Sequence, residues 1–125
     1  MTSRFFTLEE FRCPCGRPEC DAPSEPTVDL MDRLDRLRAR LGRPVRVTSG
    51  LRCAVQNVRA GGVIGSGHLD GTEVDIAVPS SAERYEILEQ NWCVGPALFE
   101  RIGIGRTFLH LGVSPRLPHH VVWLY

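Results

Sequence analysis

The sequence has no apolar run approaching the roughly 20 residues that a membrane-spanning helix needs, so no span is expected. It has no surplus of either charge. Fifteen Lys and Arg residues balance fifteen Asp and Glu residues, which leaves no electrostatic footprint for a nucleic-acid partner. The opening Met1-Thr2-Ser3-Arg4-Phe5-Phe6 reaches Glu9 and Glu10 before any apolar h-region develops, so it does not read as a secretory signal. Synthesis in the cytoplasm is expected, and work outside it would need release or delivery by other factors. The glycine-rich stretch Gly61 to Gly67 lacks the Lys-Ser/Thr of a phosphate loop, which argues against nucleotide binding. Repeats are absent and no composition break marks a linker. The 125 residues are therefore expected to form a single domain, 1–125, with a Cys- and Pro-rich arm at 1–26.

Periodicity supplies the elements. Thr27 is placed to cap a helix running to about Leu41, because Val28, Met31, Leu34, Leu37 and Leu41 recur at helical spacing. Arg33, Arg36, Arg38 and Arg40 would form its solvated face, and Gly42 would end it. Val45 to Thr48 alternates and is β-branched, as a strand requires. A short helix is expected from Cys53 to Ala60, and a helical turn near Leu8 to Phe11. Thr72 to Val78 reads as a strand, and Ser80 with Glu83 forms a capping box for a helix over about 81–90. Arg101 to Ile104, Leu109 to Val113 and Val121 to Tyr125 complete the strands. Helices mixed with short strands point to an α+β fold, an antiparallel sheet with flanking helices.

Two histidines and an aspartate carry the chemistry. His68 and Asp75 lie in Ser66-Gly67-His68-Leu69-Asp70-Gly71-Thr72-Glu73-Val74-Asp75, and His110 follows in Phe108-Leu109-His110-Leu111. Two imidazoles and one carboxylate suit Zn2+ and leave one coordination position for water, which separates a catalytic site from a structural one. Gly71 permits a sharp turn, after which neighbouring strands can set Asp75 beside His110. A loop histidine and a surface aspartate would give the same spacing, so the pattern alone leaves both readings open.

Five cysteines is an odd number, so at least one is unpaired within the chain. Cys13, Cys15, Cys20 and Cys53 fit either two disulfides or a four-cysteine zinc site; action outside the cell would favour disulfides. Cys93 is expected to be a buried free thiol. His119-His120 precedes the last strand, either as a solvated turn or with one imidazole near the site.

Taken in order, Ser49-Gly50-Leu51-Arg52-Cys53, Asn57, Gly61-Gly62, Ser66-x-His68-x-x-Gly71-x-x-x-Asp75-Ile76, Arg101-Ile102-Gly103-Ile104 and Phe108-Leu109-His110 resemble the zinc D-Ala-D-Ala carboxypeptidase family. The similarity is greatest to its small single-domain phage and bacterial branch. Phe6-x-x-x-Glu10-Phe11-x-Cys13-x-Cys15 and Trp123-x-Tyr125 match that branch too. The resemblance implies the hedgehog/DD-peptidase α+β fold and one zinc held by His68, Asp75 and His110. It implies action on D-amino-acid-containing peptides of bacterial peptidoglycan; the chain is expected to be a monomer. Arg52 matches an arginine near the substrate carboxylate, for which a guanidinium fork is suited, and Ser66 matches a hydrogen-bonding serine. Sequences of this kind also pair the arm with a cysteine at the Cys53 position.

Three departures follow from the same resemblance. Thr107 stands where an acidic general base is expected. Gly112 replaces the aspartate of a His-x-Asp ending, and Glu73 replaces an alanine two residues before the ligand aspartate. Glu73 shares a strand face with Asp75, so it is a candidate for the missing catalytic carboxylate or a salt-bridged strand residue. Without a base the chain would be a weak or inactive module that binds peptidoglycan or a protein, or a phage structural component.

Overall fold

The computed structural model describes residues 1–125. Its first helix, α1 (Val28–Leu41), forms where the apolar spacing places it and buries Leu30, Met31, Leu34, Leu37 and Leu41. Thr27 Oγ1 accepts the Leu30 N–H, and Gly42 closes the helix in the left-handed region at φ 68°. The arginines on its outer face are less free than their run suggests. Arg33 reaches the Leu98 carbonyl and Arg40 the Gln90 carbonyl, so two of them bind neighbouring backbone.

A five-stranded sheet lies under the helices. Its strands are β1 (Val47–Ser49), β2 (Glu73–Ala77), β3 (Arg101–Ile104), β4 (Phe108–Gly112) and β5 (Val121–Leu124), in the order β1-β2-β4-β3-β5. Between them run α2 (Ala54–Arg59) and α3 (Ser81–Trp92), and short 3-10 turns cover Leu8–Phe11 and Gly67–Leu69. Ser80 caps α3: its Oγ accepts the Glu83 N–H and donates to the Glu83 carboxylate, so the two residues pair through the serine hydroxyl rather than through the reciprocal backbone bond of a full capping box.

The architecture is α+β, but the sheet is mixed rather than wholly antiparallel. β5 runs parallel to β3, while the other pairs are antiparallel. The reason is geometric. Both edges of β4 are already occupied by β2 and β3, so the returning chain reaches the free edge of β3. A strand antiparallel to β4 is there parallel to β3.

Strand alternation divides the sheet into two faces. One carries Val74, Ile76, Ile102, Leu109 and Leu111, which join the α1 leucines and Ile87 of α3 in the main core. The other carries Glu73, Asp75, Arg101 and His110, which are nevertheless buried because loops cover them. Cys93, expected to be buried, is exposed just past the end of α3, with Gln90 as its hydrogen-bond partner.

The N-terminal arm packs against the end of β1. Phe11 is fully buried, its carbonyl accepts the Leu51 N–H at 2.7 Å, and Gly50 lies against its backbone. A Cβ on Gly50 would sit 2.8 Å from Phe11 Cα. Gly50→Ala is expected to destabilise the fold by about 1–3 kcal/mol through this overpacking, read as a lowered urea midpoint with unchanged slope.

Candidate metal centre

Register builds the site. β2 and β4 pair so that Asp75 stands opposite His110, and Glu73 opposite Gly112. Directly paired residues on one face have Cβ atoms about 4.5–5.5 Å apart, close enough for side chains to touch. His68 arrives from outside the sheet, on the 3-10 turn Gly67–Leu69. Ser66 caps that turn, with its Oγ accepting the His68 N–H at 3.2 Å. The ligating atoms of His68, Asp75 and His110 lie within 4.8 Å of one another, all three residues being buried.

The tautomer of His68 follows from its partner. Nδ1 lies 2.6 Å from the Gly50 carbonyl oxygen, which can only accept, so Nδ1 carries the proton. Nε2 then presents its lone pair to the site. It is buried with no hydrogen-bond partner, and it stands 3.4 Å from Asp75 Oδ2 without forming a hydrogen bond. An orphaned buried nitrogen is rare in a folded protein, and here it faces a carboxylate and a second imidazole. This donor set, one aligned imidazole, one carboxylate and one further imidazole, fits a zinc ion.

His110 lies between two carboxylates. Its Nδ1 is 2.8 Å from Asp75 Oδ1, and its Nε2 is 2.5 Å from Glu73 Oε1. Burial lowers the imidazole's pKa, but Asp75 and Glu73 together hold it above its ordinary value. Asp75 is shifted the opposite way. Burial raises its pKa, yet His110 and His68 bring it well below the usual carboxylate range. Glu73 is lowered too, with burial outweighed by His110 and Arg101.

Arg101 is the site residue that composition and periodicity did not single out. Its Nε donates to Glu73 Oε2 at 2.6 Å, its Nη1 donates to the Pro118 carbonyl, and its guanidinium lies over Trp123 at 5.1 Å. A charged residue opening the otherwise apolar strand Arg101-Ile102-Gly103-Ile104 was the available signal. Both Glu73 oxygens are thereby engaged, one by Arg101 and one by His110.

Arg52 lies across the site. Its Nε donates to Ser49 Oγ at 2.9 Å, Nη1 to Asn57 Oδ1 at 3.2 Å and Nη2 to Asp75 Oδ2 at 3.3 Å. Arg52, Ser66, His68, Glu73, Asp75 and His110 all line one cavity of about 660 Å³. Trp123, Tyr125, Leu117 and the loop Ala60–Gly65 form its remaining walls. Thr107 is exposed and lines a separate groove. His119 and His120 also stand apart, facing Glu100 at 3.1 and 3.2 Å.

The two departures at Glu73 and Gly112 prove to be spatially linked. A Cβ on Gly112 would collide with the Glu73 carboxylate. Glu73 therefore occupies the space above its cross-strand partner and from there meets His110 Nε2. The carboxylate next to His110 Nε2 thus comes from β2, over a glycine on β4.

Among protein-family models, one described as Peptidase M15 matches residues 4–112. No curated protein matches the chain.

If Glu73 acts by fixing His110, Glu73→Ala is expected to weaken zinc binding by roughly 10–100-fold, measured by competition with a chromophoric chelator. Gly112→Asp in the wild-type background should destabilise the protein by crowding a second carboxylate against the first. Glu73→Ala with Gly112→Asp should recover much of the lost affinity. Unchanged affinity in Glu73→Ala, combined with lost turnover, would instead make Glu73 a general base.

Proposed function

We infer that this chain, which belongs to the Peptidase M15 family, is a zinc-dependent hydrolase of D-amino-acid-containing peptides of bacterial peptidoglycan, a D-Ala-D-Ala carboxypeptidase or a related wall peptidase. The observation that carries the reading is the buried, unpartnered Nε2 of His68, facing Asp75 and His110 at the floor of the cavity. His68 Nε2, the Asp75 carboxylate and His110 Nδ1 would hold the metal. When bound, zinc supplies a Lewis acid for the scissile carbonyl and lowers the pKa of water at its open position.

The chain's own residues set the rest. His110 would give up its Nδ1 proton on binding the metal while Nε2 keeps its proton against Glu73. Glu73 is thus a positioning residue that fixes the ring, and Arg101 fixes Glu73 in turn. Such a carboxylate–imidazole pair orients the ligand and raises its basicity. The Gly50 carbonyl does the same for His68 through Nδ1.

Substrate contacts belong to the walls. Arg52 faces the cavity, held by Ser49 and Asn57, and its planar fork suits a terminal carboxylate better than an ammonium would. Ser66 Oγ accepts the His68 N–H, and its hydroxyl proton can be donated to a peptide carbonyl. Trp123, Leu117 and Phe108 offer apolar surface to small side chains such as alanine. A cavity of about 660 Å³ holds a short peptide.

Two measurements test this function. Purified protein should release amino acids or fragments from peptidoglycan stem peptides, and His68→Ala should lose both the metal of this site and turnover. Arg52→Lys should raise KM for peptides ending in a free carboxylate more than for their C-terminal amides, while kcat changes less. Equal effects on both peptide forms would make Arg52 purely structural. Zinc stoichiometrically bound with no turnover on any wall peptide would favour a binding module over an enzyme.

A further inference from the structure

A second cluster of metal-ligating groups lies outside the cavity. Cys13, Cys15 and Cys20 of the arm converge on Cys53, the N-cap of α2, and the four sulfurs lie within 4.8 Å of one another. All are free thiols. Cys13 Sγ is 3.7 Å from Cys53 Sγ. That is far beyond an S–S bond of about 2.05 Å. It agrees with the edge of a tetrahedron of sulfurs, about 3.8 Å when each lies about 2.3 Å from a central zinc.

We propose that Cys13, Cys15, Cys20 and Cys53 bind a structural zinc ion that clips the N-terminal arm to the start of α2.

Backbone geometry supports thiolates at this position. Cys53 Sγ accepts the Gln56 N–H, Cys13 Sγ accepts the Cys53 N–H, and Cys15 Sγ accepts the Arg17 N–H, each at 3.4 Å. Hydrogen bonds to sulfur favour the charged form over the thiol. Gly16, at φ 68°, lets the chain fold back so that the Arg17 amide reaches Cys15. On binding, four S–H protons leave and a dication enters, so the closed site carries two negative charges. Arg59, which reaches the Cys15 carbonyl, lies near enough to offset part of that charge.

All four positions being protein sulfur, no site remains for water, and the ion has no part in hydrolysis. Its effect is on placement. Cys53 directly follows Arg52, whose guanidinium reaches Asp75. The clip therefore fixes the arm and the Arg52 backbone together.

The test uses full-length protein purified under reducing conditions, with zinc and thiols quantified together. His68→Ala removes the contribution of the histidine site. This variant should keep about one zinc per chain, and only Cys93 should react with an alkylating reagent until a chelator is added. Cobalt substitution should give the intense charge-transfer and visible bands of a tetrahedral thiolate site. Cys53→Ser risks unfolding, so Cys20→Ser, in the exposed part of the arm, is the second variant. It should weaken metal binding at the cysteine site and diminish the cobalt–thiolate bands, while the histidine site still binds zinc. A zinc-free His68→Ala protein with five reactive thiols would overturn the proposal, as would a mass deficit showing disulfides among the four cysteines. Failure of the histidine-site reading is separately visible, as zinc that His68→Ala does not diminish.

Discussion

The pairing of Asp75 with His110 across β2 and β4 is the contact on which the rest of the site depends. It sets a carboxylate and an imidazole 2.8 Å apart on one sheet face, and it does so through backbone hydrogen bonds rather than through the side chains themselves. A slip of one residue would turn every side chain of β2 to the other face. Glu73 and Asp75 would enter the hydrophobic core, and Val74 and Ile76 would face the cavity. The apolar face under α1 and α3 thus holds the polar face in register. Stability and site geometry share one constraint.

The polar face survives burial because its charges alternate. Arg101, Glu73, His110, Asp75 and Arg52 form a continuous row in which basic groups alternate with carboxylates, each touching the next at 2.6, 2.5, 2.8 and 3.3 Å in turn. An unpaired buried charge would be costly, and removing one member leaves its neighbour exposed to that cost. The glycines in the same strands give the row its room. Gly103 stands in register with both His110 and Trp123, and a Cβ there would strike the Trp123 and Tyr125 rings. Gly112 yields its volume to Glu73.

Much of this was legible in the sequence because it rests on local patterns. The α1 stripe, its Thr27 cap and Gly42 end, the Ser80 cap of α3 and the strand Arg101–Ile104 all lie where periodicity and capping put them. The α+β class followed from their mixture. His68, Asp75 and His110 were readable as a pattern; strand pairing joins Asp75 to His110, and the turn Gly67–Leu69 brings His68 to them. What was not legible depends on which edge is free. The parallel docking of β5 follows from the occupied edges of β4, a fact about assembly rather than about residues 121–124. The position of Arg101 beneath Glu73 was hidden for the same reason, since the two are far apart in the chain and meet only through β4. Cys93 was misplaced because its type favours the interior, whereas α3 ends at the surface just before it.

The exchange between Glu73 and Gly112 has a consequence for how chains of this kind are compared. Scored one column at a time against the pattern that the resemblance implies, position 112 lacks an acid and position 73 carries an unexplained one. Each looks like decay, and together they suggest a domain abandoning its chemistry. In space the two are one feature: the Glu73 carboxylate fills the volume that Gly112 leaves free and meets His110 Nε2 from the neighbouring strand. Inventories of functional groups in paired strands are therefore better taken across the ladder than along the chain.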